Sequence, residues 1–151
     1  MKEWQHDRIG AAERGENPMV LARMQSGFAV FGDTQFLPGY CLLIAVPQVN
    51  QLIDLSLEQQ LVFLQDMSLL GMAVNRACHP SRLNYEILGN SWHALHAHVW
   101  PRYSWEPEAS RRQPTWLYPP EYRYAQEQAF NEERHGALKA QIADYLQEVL
   151  K

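Results

Sequence analysis

The sequence predicts an α+β fold with a mainly antiparallel sheet, one long central helix and a C-terminal helix. Three observations carry that expectation. Short β-favouring runs lie within 19–33 and 40–46, a helical apolar period occupies 57–77, and two further short runs follow at 82–88 and 94–100. A helical period then returns at about 125–149, so strands and helices are segregated rather than strictly alternating.

The opening segment 2–14 mixes Trp4, Ile9, Ala11 and Ala12 with charges and reads as a short helix, ended by "GENP". "MVLARMQSGFAVFGD" is two β runs around Gln25-Ser26-Gly27, a hairpin with glycine at the turn. "FLPG" at 36–39 is a turn, and "YCLLIAV" is too continuously apolar to face water on one side. It reads as a central strand ending at Pro47. Ser56 and Gln59 have the spacing of a capping box and open the helix 57–77. Its expected core stripe is Leu57, Leu61, Leu64, Met67, Leu70 and Met72, and His79-Pro80 stops it. "RLNYEIL" (82–88) alternates as a strand, with Gly89-Asn90 as the turn into 94–100. Beyond Arg102 a proline- and aromatic-rich arm is expected to pack through Trp105, Trp116, Leu117 and Tyr118. The last helix presents Leu138, Ile142, Tyr145 and Leu146 on one face.

At 151 residues the chain has the length of a single domain, 1–151, that buries a sizeable core. Its formal charge is -4 and its 13 basic residues do not cluster, which argues against a nucleic-acid polymer as partner. Cys41 and Cys78 form no disulfide framework, and no apolar run suits a signal peptide or a membrane span. The expected location is cytoplasmic, away from membranes.

"HALHAHVWPRY" (93–103) carries the chemistry. On a strand, Ala94, His96, His98 and Trp100 share one face, and Leu95, Ala97 and Val99 pack on the core. His96 and His98 then stand about 7 Å apart by strand rise, whereas His93 falls on the other face or in the turn. A neutral imidazole can attack phosphorus and split one displacement into two steps. The attacking nitrogen must be unprotonated, so the other ring nitrogen must give its proton to an acceptor such as a carbonyl. A second imidazole can donate where charge builds on the phosphate oxygens. Zinc is the competing reading, but His-x-His supplies two ligands where three or four are needed, and no metal or other cofactor is expected.

"NYEILGNSWHALHAHVWPRY" resembles the histidine-triad (HIT) superfamily, whose signature is His-φ-His-φ-His-φ-φ with φ apolar. The likeness is greatest to bacterial members that resemble diadenosine tetraphosphate hydrolases. "FAVFGDTQFLPGYCLLIAVPQVNQLIDLSLEQQ" resembles that family's first half, so the match covers about 20–105, with the arm and helix of 104–151 less diagnostic. The resemblance implies a HIT-like fold and a homodimer. It puts His96 at the nucleophile and His98 at the third histidine, which assists at the phosphate. It puts Asp33 at the acidic residue that binds ribose hydroxyls and Phe31 in the wall of the base pocket. Asn84 resembles an asparagine supporting the phosphate site, while Ser91, with Asn90 beside it in the turn, matches a small hydroxyl near the leaving group.

The departures matter. Ala94 stands at the first triad position, Tyr40 replaces the histidine of a Pro-Gly-His turn, and "PQVNQL" lacks the usual lysine and histidine. Losing one transition-state donor costs about 2.7–4 kcal/mol, or roughly 10²–10³ in rate. The resemblance therefore implies either of two functions. One is a nucleotide hydrolase or nucleotidyl transferase acting on a purine nucleotide conjugate such as a dinucleoside polyphosphate. The other is a nucleotide-binding protein with little turnover.

Overall fold

The structure, a computed structural model, describes residues 1–151. Five strands form one antiparallel sheet: β1 (Val20–Arg23), β2 (Gly27–Phe31), β3 (Cys41–Ala45), β4 (Arg82–Glu86) and β5 (His96–Arg102), in the order β1-β2-β3-β5-β4. The long helix is α3 (Leu57–Cys78), and α6 (Glu132–Val149) closes the chain. Short helices α1 (Glu3–His6) and α2 (Arg8–Glu13) precede the sheet in the chain, and α4 (Glu108–Arg111) and α5 (Pro120–Arg123) lie between β5 and α6. This is the α+β architecture that the apolar periods predict. No helix is long and apolar enough to cross a membrane.

Local chemistry fixes the frame. The Gln59 N–H donates to Ser56 Oγ at 3.2 Å and the Ser56 N–H to Gln59 Oε1 at 3.0 Å, a complete capping box. His79 ends the helix in the left-handed region, φ 47°, directly before Pro80. Buried Asp66 accepts from the Ser26 N–H at 2.7 Å and Ser26 Oγ at 2.6 Å, which ties the β1–β2 turn to α3. One face of the sheet, through Leu43, Ala97 and Val99, meets Phe63, Leu70, Ala73 and Val74 of α3 and Ile142 and Leu146 of α6. The other face carries the histidines.

Several boundaries and faces differ from those the sequence suggests. The opening helix is broken into α1 and α2 at Asp7, whose side chain accepts from the Gly10 N–H. The fourth strand ends at Glu86, with a loop rather than a two-residue turn leading to β5, and β5 runs 96–102 rather than 94–100. The final helix begins at Glu132, where Asn131 caps it, not near 125. Leu57, Leu61 and Met72 are 70%, 60% and 54% exposed. They form a second apolar face on α3, because the core takes Leu70 of the expected stripe together with Phe63, Ala73 and Val74. In the arm, Tyr118 is buried and Trp116 half-buried, whereas Trp105 and Leu117 are exposed.

Candidate active site

Strand pairing builds the site one row at a time. Ile44 lies opposite His96, Leu42 opposite His98, and Glu86 opposite His98 on the far side. Ala94 and Leu95 precede the strand, and β-alternation then puts His96, His98 and Trp100 on the face away from α3. Their rings border a cavity of about 520 Å³ together with Phe31, Tyr40, Trp92 and Trp116. The His96 and His98 rings are 4.8 Å apart between centroids, closer than strand rise alone suggests, because they tilt edge to face.

Each imidazole has one nitrogen engaged. His96 Nδ1 is 2.7 Å from the Ala94 carbonyl oxygen, which can only accept, so Nδ1 carries the proton. Nε2 is then the lone-pair nitrogen. His98 has the opposite arrangement. Its Nδ1 is 2.6 Å from Tyr40 Oη, and that hydroxyl, on a residue 6% exposed, has no other partner in the chain. A buried hydroxyl proton without an acceptor is costly, so Tyr40 donates to Nδ1, and His98 carries its proton on Nε2. Burial holds Tyr40 well above the usual phenol range, which keeps the hydroxyl a donor. Neither Nε2 has a partner within the chain.

Both rings are neutral at physiological pH. Burial pushes His96 below 6.5, only partly offset by its bond to the Ala94 carbonyl. Burial first, and the neighbouring His96 second, push His98 down to about 3. The site thus presents a lone pair and an N–H side by side.

Aromatic packing holds this pair rigid. Tyr40 stacks on Trp100 with centroids 3.4 Å apart and planes 5° from parallel. Trp116 stands edge-on to His98 at 5.2 Å. Glu86 accepts from the indole N–H groups of Trp100 at 3.2 Å and Trp116 at 2.7 Å, so one carboxylate positions both. Gly32 has no room for a Cβ, which would lie 2.3 Å from the Tyr40 ring.

The other sequence-predicted residues are distributed unevenly. Phe31 is buried and lines the cavity, edge to face with Phe130 at 5.8 Å. Asp33 also lines it, but its oxygens already accept from Arg8 at 3.2 and 2.5 Å and from Gln5 at 3.0 Å. The N-terminal helices therefore close over the acidic residue. Asn84 shares the sheet face yet does not reach the cavity. Its Oδ1 accepts from Arg102 at 2.8 Å, and it borders a separate groove. Asn90 and Ser91 are exposed in the loop before β5 and line no part of the cavity, and His93 is likewise exposed. No group of three or more His, Cys, Asp or Glu side chains is placed to hold a metal ion.

Sequence reasoning missed Tyr40 as the partner of His98, and it missed Arg8, Trp92, Trp116 and Arg123 as cavity residues. The Tyr-for-His replacement at residue 40 was the one available signal. The others come from segments whose folding back onto the sheet no local pattern announces.

No protein-family model and no curated protein sequence matches the chain. Solved structures do. A histidine triad protein from Sinorhizobium meliloti aligns over 88% of this chain and 93% of its own, at 19% identity and a TM-score of 0.71. One from Marinobacter aquaeolei aligns over 95% of both chains, at 23% identity and a TM-score of 0.69. The chain has the histidine triad fold. A diadenosine triphosphate hydrolase from Plasmodium falciparum shares it more distantly, over 88% of this chain and 79% of its own, at 13% identity and a TM-score of 0.56. Within this fold His96 and His98 occupy buried positions on the face of β5 that borders the cavity, and Ala94 sits just before the strand, 1% exposed.

Proposed function

We propose that this chain is a member of the histidine-triad superfamily that binds a purine nucleotide conjugate. In this reading it hydrolyses the conjugate, or transfers its nucleotidyl group, through His96. The observation that carries the proposal is the pair of Nδ1 contacts, His96 to the Ala94 carbonyl and His98 to the Tyr40 hydroxyl, from which opposite tautomers of the two cavity imidazoles follow. His96 Nε2 attacks phosphorus, the bond to the leaving group breaks, and a phosphoramidate joins His96 to the nucleotidyl group. His98 Nε2–H donates to an oxygen on which charge builds. Water then attacks the phosphoramidate and releases the nucleotide, returning His96 to its starting form. Dinucleoside polyphosphates fit as a substrate class, and the aromatic walls suit a stacked purine. Phe31 would border the base and Asp33, though engaged by Arg8, keeps lone pairs for ribose hydroxyls. No cofactor enters this scheme.

The test is a turnover screen against a panel of purine nucleotide conjugates, with His96→Ala as control. Turnover abolished in His96→Ala supports the mechanism, and turnover unchanged in that variant refutes it. Ala94 favours a second reading, a nucleotide-binding protein with little turnover, since no first imidazole assists the leaving group. Calorimetry showing tight AMP binding by a chain that turns over no conjugate would select it.

We further infer a homodimer. Leu57, Leu61 and Met72 on α3, with Tyr85 on the edge strand β4 and Leu88 just beyond it, are large apolar side chains left exposed. A second copy of the chain is the occupant this reading assigns to them.

A further inference from the structure

Two arginines are buried, and only one is neutralised. Arg102, 3% exposed, is held by both oxygens of Glu106 at 3.0–3.2 Å. Arg123, 8% exposed, belongs to none of the ion pairs in the chain. Its contacts are uncharged. Nε donates to the Tyr118 carbonyl at 3.0 Å, and Nη1 lies 3.4 Å from Tyr124 Oη. The guanidinium carbon sits 4.8 Å from the Trp116 ring centroid and 5.1 Å from that of Tyr124. These partners fix the side chain in place and, cation–π attraction apart, leave its charge without a counterion, with Nη2 bonded to nothing in the chain yet not sealed from solvent. An arginine cannot relieve burial by losing its proton, so such a position calls for an anion.

The place of this cation specifies the anion. Arg123 ends α5 and borders the same cavity as His96 and His98. The two groups flank one indole, since Trp116 touches His98 edge-on and carries the guanidinium over its ring. With both imidazoles neutral, the charges on the cavity wall are Arg8 and Arg123 against Asp33, two positive less one negative, a net of +1. The chain as a whole has a formal charge of -4, so the cavity is positive against the background.

We propose that Arg123 is the anion-anchoring residue of the cavity, taking a phosphate of the ligand on its free Nη2, so that the site selects phosphorylated nucleosides over nucleosides. The choice of nucleoside phosphates rests on the function proposed above, whereas the call for an anion does not. A permanently charged guanidinium also supplies the positive charge that the neutral His98 and the absent first imidazole do not.

Titration calorimetry on the full chain with AMP, adenosine and inorganic pyrophosphate tests this, using wild type, Arg123→Gln and Arg123→Lys. Arg123→Gln is expected to weaken AMP and pyrophosphate by about ten- to a hundredfold, the worth of a charge-assisted hydrogen bond, and to leave adenosine unchanged. Arg123→Lys should fall between. Should the glutamine variant not fold, the guanidinium N–H resonances of wild-type Arg123 give the same answer without substitution. They should shift with AMP or pyrophosphate and not with adenosine. If AMP binds wild type and Arg123→Gln equally, or if AMP and adenosine weaken alike, the anion role is wrong while the nucleotide reading stands. If no nucleotide binds but pyrophosphate binds through Arg123, the nucleotide reading fails and the anion site stands. If wild type binds neither AMP nor pyrophosphate, both are overturned.

Discussion

Tyr40→Phe removes one oxygen atom and tests the assignment of roles to the two imidazoles. The aromatic six-membered ring is kept, and with it the stack on Trp100 at 3.4 Å. What is lost is the 2.6 Å hydrogen bond to His98 Nδ1, between residues 6% and 5% exposed. A buried acceptor left without its donor costs about 1–3 kcal/mol, so the variant should be destabilised by that amount in urea titration. The larger consequence is for the site. Without the donor, His98 can carry its proton on either nitrogen, and the Nδ1–H form turns a lone pair toward the phosphate oxygens. Complete loss of a transition-state donor costs roughly 10²–10³ in rate, and here only a fraction of molecules lose it. A tautomer mixture keeps the productive form in part of the molecules, so we expect kcat to fall by a few fold, about 1 kcal/mol or less, with a smaller change in KM. The paired assay is ¹⁵N NMR of the imidazoles, with His98 protonated on Nε2 in wild type and mixed in the variant. A wild-type His98 protonated on Nδ1, or a Tyr40→Phe enzyme with unchanged kcat and unchanged tautomer, would refute the reasoning.

Other outcomes follow from the same geometry. The unfolded His98 binds a proton below its ordinary 6.5 and the folded one only near 3, so the unfolded state holds the extra proton between those values. Stability from this group is complete above pH 6.5 and is lost as pH falls, with a slope of about 1.4 kcal/mol per pH unit. Urea titrations from pH 7 to 4 should show a shallower loss in His98→Gln than in wild type, and parallel curves would contradict the assignment. The acid limb of the kcat/KM profile should report His96, whose pKa burial places below 6.5, and a limb centred above 6.5 would contradict the assignment. Arg8→Ala frees Asp33 Oδ1 and leaves only Gln5 on Oδ2, so it should tighten binding of ligands with a ribose cis-diol relative to their 2′-deoxy counterparts, by calorimetry. Leu61→Glu places a charge on the exposed face of α3 and should give a folded monomer by sedimentation. A wild-type chain that already sediments as a monomer would remove the dimer reading.

The reach of the sequence is clearest along β5. Period-two alternation sorts His96 and His98 from His93, and the structure gives that face to the cavity and Leu95, Ala97 and Val99 to the core. The capping box at Ser56 is equally local and equally plain. Alternation says which face a residue shares but not how far along the strand its partners lie, so Asn84 is on the histidine face and still committed to Arg102. Helical periodicity has a similar limit. Leu57 and Leu61 satisfy an apolar stripe, and no local rule separates a core face from a second apolar face on the same helix. Contacts between distant segments were beyond reach altogether. Tyr40 meets His98 across 58 positions, and Arg123 arrives from an arm whose proline-rich sequence carries no period.

The central claim is that His96 Nε2 is the attacking atom. Rapid quench of the wild-type chain with a dinucleoside polyphosphate, followed by peptide mass spectrometry, tests it most directly. The account predicts a transient nucleotidyl adduct on the peptide carrying His96, mapped to that residue and absent from His96→Ala. Turnover with no adduct at any quench time, or an adduct on His98 or His93 instead, would contradict it.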